Sequence, residues 1–271
     1  MKTILTTTAF ALMASTALAD TITLYTSQPN ADAQQTVDAF KAANPDTDVE
    51  WVRDGTTKLM ARLRAEIEAG NPQPDVLLIA DTVTLEGMAQ DGLLTAYQSP
   101  EAANYDSALY SADGFYHSTK LITTGIVYNT GVETAPTSWN DLSDAALKGQ
   151  VAMPSPLYSG AALIHLATLT GDDSLGWGYY EQLAENDARA QGGNGGTFKA
   201  VASGEKPYGM VVDFLAIRNK AEGSPVEFVF PTEGVSYVTE PVAIMSTAKN
   251  VEGAQKFVDF LLSAEGQDAV L

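Results

Sequence analysis

The chain has 271 residues, with 34 acidic against 15 basic side chains, a formal net charge of −19 and no cysteine. That balance argues against nucleic acid or an anionic membrane surface as a partner, since both are polyanions held through Lys and Arg, and the missing cysteines exclude disulfides and thiolate metal ligands. A small anionic ligand is not excluded, because exposed charges farther off than about 8–10 Å are screened by salt.

Met1-Lys2, an apolar run over residues 9–18 and the small-residue string Ala17-Leu18-Ala19 form the succession of a secretory signal. The run is far short of the roughly 20 residues that cross a bilayer. Cleavage before Asp20 is therefore expected, leaving a periplasmic chain with no direct membrane insertion. No later segment is long and apolar enough to span.

The elements then follow in order. Residues 21–25 alternate like a strand, Ser27-Gln28-Pro29-Asn30 breaks it, and a helix carrying Val37 and Phe40 follows. A strand over 49–52 leads through Asp54-Gly55-Thr56-Thr57 into a helix with Leu59, Leu63 and Ile67 four apart, stopped by Gly70 and Pro72. Next come a buried strand over 76–79 and a helix over 85–90. Strands are expected again at 120–129, 151–153, 209–212, 226–230 and 242–245. Helices are expected at 160–169, 174–185, 197–203, 215–222 and 251–262. Strands alternating with helices imply β/α units and a largely parallel sheet. Two such units without a flexible linker suggest two lobes joined by chain crossovers.

Several strings carry a family resemblance: Pro74-Asp75-Val76 with Ala89-Gln90-Asp91-Gly92-Leu93-Leu94, Ala200-Val201-Ala202-Ser203-Gly204-Glu205, Pro241-Val242-Ala243-Ile244, and Ala248-Lys249-Asn250 leading to Phe257-Val258-Asp259-Phe260-Leu261-Leu262. In order and spacing they cover nearly the whole mature chain. It resembles the ferric-ion-binding class of periplasmic solute-binding proteins, whose relatives also bind phosphorylated sugars and phosphonates. The resemblance implies an α/β, two-lobe type II periplasmic binding protein fold, with mixed sheets flanked by helices and ligand in the interlobe cleft. The expected division is a signal peptide at 1–19, lobe 1 at 20–118, lobe 2 at 119–241, and a return to lobe 1 at 242–271. Family members continue past Ser263-Ala264-Glu265-Gly266-Gln267, so a C-terminal segment truncated at Leu271 is expected.

Iron binders of this class use a His, a Glu and two consecutive Tyr, the anionic oxygen donors that a hard cation requires. The matching positions here are Pro29, Ala80, Phe214 and Leu215, none of which can ligate. The adjacent Tyr179 and Tyr180 lie on a stripe with Leu175 and Leu183 that reads as packing. No metal and no cofactor are expected. The class also binds an anion on a Ser-Gly-Ala turn opening a helix, and Ser159-Gly160-Ala161 stands at that place. The helix start supplies unpaired N–H groups and a positive dipole end, although Ser159 also reads as a plain N-cap. Asn194, in the glycine-rich run 192–197, matches a second anion contact and could equally cap a loop. Ser27, Gln28, Thr56 and Thr57 sit at carboxyl ends of strands, where open α/β sheets take ligands. Asp81 and Asp213 are candidates to meet a cationic group.

The expected function is that of the solute-binding component of an ABC importer, capturing a phosphonate such as 2-aminoethylphosphonate or an organophosphate and handing it to an inner-membrane permease. The alternatives are a ferric-iron-binding protein and a ligand-sensing subunit for a membrane receptor. A monomer is expected. Enzymatic function is not: the chain lacks a Gly-x-Ser-x-Gly elbow, His-Glu-x-x-His, a cysteine nucleophile and a nicotinamide fingerprint.

Overall fold

The structure, a computed structural model, describes residues 20–270; the expected signal segment lies outside them. In chain order the strands are β1 (Asp20–Thr26), β2 (Thr47–Arg53), β3 (Val76–Leu78), β4 (Leu94–Thr95), β5 (His117–Ser118), β6 (Ile122–Asn129), β7 (Val151–Met153), β8 (Arg189–Ala190), β9 (Tyr208–Val212), β10 (Val226–Val229), β11 (Ser236–Val238) and β12 (Pro241–Met245). The α-helices are α1 (Asn30–Ala43), α2 (Thr56–Glu68), α3 (Thr82–Gln90), α4 (Gly160–Thr170), α5 (Gly176–Glu185), α6 (Asn194–Ala202), α7 (Asp213–Ala221), α8 (Val251–Leu262) and α9 (Ala264–Val270).

The strands form two six-stranded sheets. In the first, β2, β1 and β3 run parallel and β12 joins antiparallel to β3, β4 and β5. In the second, β9, β7 and β8 run parallel and β6 lies antiparallel to β9, β10 and β11. The sheets are thus mixed rather than largely parallel. The departure comes from β6 and β12, the strands the chain enters as it passes from one sheet to the other.

Each sheet is covered on both faces, as parallel triplets require. On the first, Phe40 of α1 meets Phe257 and Phe260 of α8 edge-on, with ring centroids 5.0 and 5.6 Å apart. The opposite face packs Tyr25, Leu59, Leu63 and Leu85. On the second sheet Trp139, Leu142, Tyr179 and Leu183 fill one side, while Phe198, Val201 and Ala216 fill the other. Tyr179 is buried in that core, as its stripe with Leu175 and Leu183 predicts.

The chain crosses between the sheets twice, at residues 119–121 and 239–240, and the crossings are bonded to each other. The N–H groups of Thr119 and Lys120 both donate to the Thr239 carbonyl, at 3.1 and 3.2 Å. The Thr119 hydroxyl donates to the Glu240 carbonyl at 2.7 Å.

Candidate functional site

The carboxyl ends of both parallel triplets face one cavity of about 250 Å³. From the first sheet come Ser27 after β1, Arg53 at the end of β2, and Ala80 after β3; from the second come Ser159 after β7, Asn194 after β8 and Val212 at the end of β9. This is the strand-end crevice where open α/β sheets bind ligands, here walled from two sides.

Two helices of the second half begin at this wall. Ser159 caps α4, its Oγ accepting from the Ala162 N–H at 3.3 Å, so the capping reading holds. It does not exhaust the hydroxyl, because Oγ also accepts from Asn194 Nδ2 at 3.0 Å. With both lone pairs taken, its proton is the one function left to give. Asn194 Oδ1 accepts from the Val212 N–H at 3.2 Å, which fixes the orientation of the amide. Asn194 is the first residue of α6 rather than a loop cap. The leading N–H groups of α4 (Gly160, Ala161) and of α6 (Asn194, Gly195) have no acceptor among the described residues. Of these residues Ala161, Asn194 and Gly195 line the cavity, so unpaired amides and the positive ends of two helix dipoles face it.

Arg53 supplies the cation. Its Nε donates to the Gln28 carbonyl at 2.7 Å, Nη1 to the Tyr158 hydroxyl at 3.1 Å, and Nη2 lies 3.5 Å from the Ser27 carbonyl. Among the described residues no carboxylate pairs with it. The guanidinium is positioned by neutral groups and its charge is left for an anion. Ser27 Oγ accepts from the Ala80 N–H at 3.1 Å and keeps its own proton to donate. Thr56 is buried and lines the cavity.

The halves meet closely around this space. A Cβ on Gly55 would fall on the Tyr158 carbonyl and within 2.7 Å of its ring; one on Gly160 would lie 2.5 Å from the Ala80 carbonyl oxygen. Gly193 also packs against the Tyr158 ring. Thr57 donates its N–H to the Tyr158 carbonyl at 3.2 Å and its hydroxyl to the Pro156 carbonyl at 3.1 Å. An ion pair, Arg218 Nη1 to Asp32 Oδ2 at 3.1 Å, joins α7 to α1.

Of the residues singled out by sequence, Ser27, Thr56, Ser159, Ala161 and Asn194 line the cavity together. Gly160 and Thr57 instead form contacts between the halves. Gln28 is buried beside the cavity, donating from Nε2 to Glu240 at 3.2 Å. Asp81 and Asp213 are turned elsewhere. Asp81 caps α3 by accepting from the Thr84 N–H at 3.0 Å and from the Thr84 hydroxyl. Asp213 accepts from the N–H and hydroxyl of Thr123 at 3.1 and 2.6 Å and from the Phe214 N–H at 2.7 Å. Both carboxylates are occupied in holding backbone in place. The positions matched to iron ligands, Pro29, Ala80, Phe214 and Leu215, all line the cavity and present no donor side chain. His165 lies on the buried face of α4, its ring tilted against Trp139 with centroids 4.6 Å apart and its Nδ1 3.0 Å from Ser236 Oγ; burial pushes its imidazole down to about 3.

Sequence reasoning missed Arg53, Tyr158 and Glu240. Arg53 was within reach, since it ends a strand beside Asp54-Gly55 and the strand-end rule that selects Ser27 applies equally to it. Tyr158 directly precedes the Ser-Gly-Ala turn. Glu240 carries no local signal.

A two-sheet α/β fold with a cleft at the strand ends is the architecture of the type II periplasmic binding proteins; no helix among the described residues is long and apolar enough to cross a membrane. The chain belongs to the bacterial extracellular solute-binding protein family, whose model matches residues 25–268. It is 28% identical over 265 residues to an uncharacterized Haemophilus influenzae protein, covering 91% of this chain and 74% of that one. It is 28% identical to the Iron uptake protein A1 of Synechocystis sp., covering 81% of this chain and 65% of that one. Identity is also 28% with a Salmonella typhimurium protein provisionally named a 2-aminoethylphosphonate-binding periplasmic protein, covering 86% of this chain and 69% of that one. Among solved structures, the periplasmic binding protein AfuA of Actinobacillus pleuropneumoniae with fructose-6-phosphate superposes with a TM-score of 0.82 at 28% identity, over 92% of this chain and 81% of that one. Proteins of this class are non-enzymatic binding components of ABC transporters, which take up small molecules and work with an inner-membrane permease.

Proposed function

We propose that this chain is a periplasmic component that captures a small phosphorus-containing anion or zwitterion, a phosphonate or organophosphate, for uptake. The observation that carries the reading is the set of donors on one cavity: the Arg53 guanidinium without a carboxylate partner, the spare protons of Ser159 and Ser27, and the free leading amides of α4 and α6. A tetrahedral oxyanion can take such donors from several directions, and charge-assisted bonds of this kind are about twice as strong as neutral ones. Ferric iron is disfavoured by the apolar side chains at Pro29, Ala80, Phe214 and Leu215.

The two lobes are taken as 20–118 and 119–241, with 242–271 returning to the first. An open form admits the ligand, and contacts from both lobes favour the closed one that the permease would recognise. Titration calorimetry and thermal shift with inorganic phosphate, methylphosphonate, hexose phosphates and Fe(III) test the reading. Stabilisation by a phosphorus compound and none by iron is expected. A ferric complex with micromolar affinity, and no response to any phosphorus compound, would overturn it.

A further inference from the structure

Glu240 lies on the second crossing, at the point where the chain leaves one sheet for the other. Its backbone is left-handed, with φ of 42°, a strained conformation for a residue with a side chain and one that clusters at functional positions. The residue is 3% exposed, yet its side chain forms part of the cavity wall. A buried carboxylate on a wall otherwise built from anion-binding donors calls for an explanation.

The hydrogen bonding of Glu240 is one-sided. Gln28 Nε2 at 3.2 Å and Lys120 Nζ at 3.0 Å both reach Oε2. Oε1 has no partner among the described residues, although an ionised carboxyl accepts at about four sites across its two oxygens. The carboxylate also fixes the Gln28 amide, since turning it over would set oxygen against oxygen. Gln28 Oε1 is thereby left buried with no donor. Unpaired buried acceptors are uncommon and mark a missing partner. Glu240 lines the same cavity as Arg53, whose Nε is bonded to the Gln28 carbonyl, whereas Gln28 itself is buried outside the cavity lining. The wall carries a cationic group and a carboxylate within one short network, the complement of a ligand bearing both charges.

We infer that Glu240 forms an ammonium subsite, its Oε2 held by Gln28 and Lys120, so that the ligand is an aminoalkylphosphonate whose phosphonate meets Arg53, Ser159 and the helix ends, and whose protonated amine meets Glu240 Oε1. This rests on the phosphorus-anion reading above and specifies the group at the ligand's other end. A hydroxyl could also donate there, but only a cation adds charge attraction to the carboxylate.

The test is a ligand series on the unaltered protein by calorimetry: methylphosphonate, ethylphosphonate, 2-hydroxyethylphosphonate and 2-aminoethylphosphonate. The amine is expected to bind at least about tenfold tighter than the ethyl and hydroxyethyl compounds, the order of one charge-assisted bond. Glu240→Gln should bring that ratio below about threefold. Because Glu240→Gln leaves Lys120 without its counter-charge, the double variant Glu240→Gln/Lys120→Met is measured beside it, with the same narrowing expected. Equal affinity for the amine and hydroxyl compounds, or a ratio unchanged in both variants, would overturn the ammonium subsite alone. Binding of none of the four would overturn the phosphonate reading as well.

Discussion

Asn194 and Ser159, 35 residues apart in the chain, are joined by a 3.0 Å hydrogen bond from the amide to the hydroxyl. The bond locks the start of α6 to the start of α4 and leaves the Ser159 proton directed at whatever occupies the cavity. Replacing either side chain by Ala should lower phosphonate affinity by about tenfold or more, and the double change should cost less than the product, because each residue orients the other. Ser159→Ala also removes a cap and should lower stability by about 1 kcal/mol. Calorimetry and thermal melts on the same samples separate the two effects; an affinity unchanged in both single variants would mean the pair serves the fold alone.

Arg53→Ala should weaken phosphonate binding more than any hydroxyl change, within the roughly 10- to 150-fold range of a hydrogen bond to a charged group. Arg53→Lys should recover only part of the loss. An ammonium keeps the charge but cannot hold the two carbonyls and the Tyr158 hydroxyl in the fork geometry of a guanidinium. Competition titration with methylphosphonate gives the ranking, and a fully competent lysine variant would contradict the positioning argument.

Gly55→Ala and Gly160→Ala should fold and fail to close. The added Cβ atoms meet the Tyr158 and Ala80 carbonyls, backbone groups of the opposite half, so the clash exists only when the halves approach. Unchanged circular dichroism, a larger radius of gyration by small-angle scattering and loss of ligand-induced compaction are the expected outcome. Wild-type compaction would show that the contact yields easily.

Acid should destabilise the protein through His165. Its imidazole titrates near 6.5 when exposed and is pushed down to about 3 by burial in the fold. The unfolded chain therefore binds the proton more readily. Stability is fully present above about pH 6.5 and falls by up to about 1.4 kcal/mol per unit as pH drops toward 3. His117, also lowered by burial, acts with the same sign. Thermal melts at about pH 7, 6 and 5 should show a shallower slope for His165→Gln, and an identical slope would assign the effect to other groups.

The long periodic elements were legible in the sequence because their pattern is local. Leu59 and Leu63 mark α2, and α8 spans Val251–Leu262 as its apolar spacing predicts. The short strands β4, β5, β8 and β11, two or three residues each, exist only because a distant strand is there to pair with them. The same division runs through the cavity. Ser159-Gly160-Ala161 announces a helix start within a few residues. The link between Gln28 and Glu240 spans 212 positions and owes nothing to either neighbourhood. Asp81 and Asp213 misled for a related reason: an acidic residue at a helix start reads alike whether it faces a ligand or caps the backbone, and the Thr84 and Thr123 partners settle which.

The two crossings between the sheets carry a mechanical consequence. Since Thr119 and Lys120 both donate to Thr239, and Thr119 holds the Glu240 carbonyl, they act as one two-stranded ribbon, not two independent threads. A ribbon bends more readily across its face than it shears within its plane, so the opening proposed above would be confined to a narrow set of rotations. The halves then have few relative orientations to lose when they come together. On that proposal the entropic penalty of domain ordering, which would otherwise be subtracted from the affinity for a phosphonate, would be met when the chain folds rather than at each capture.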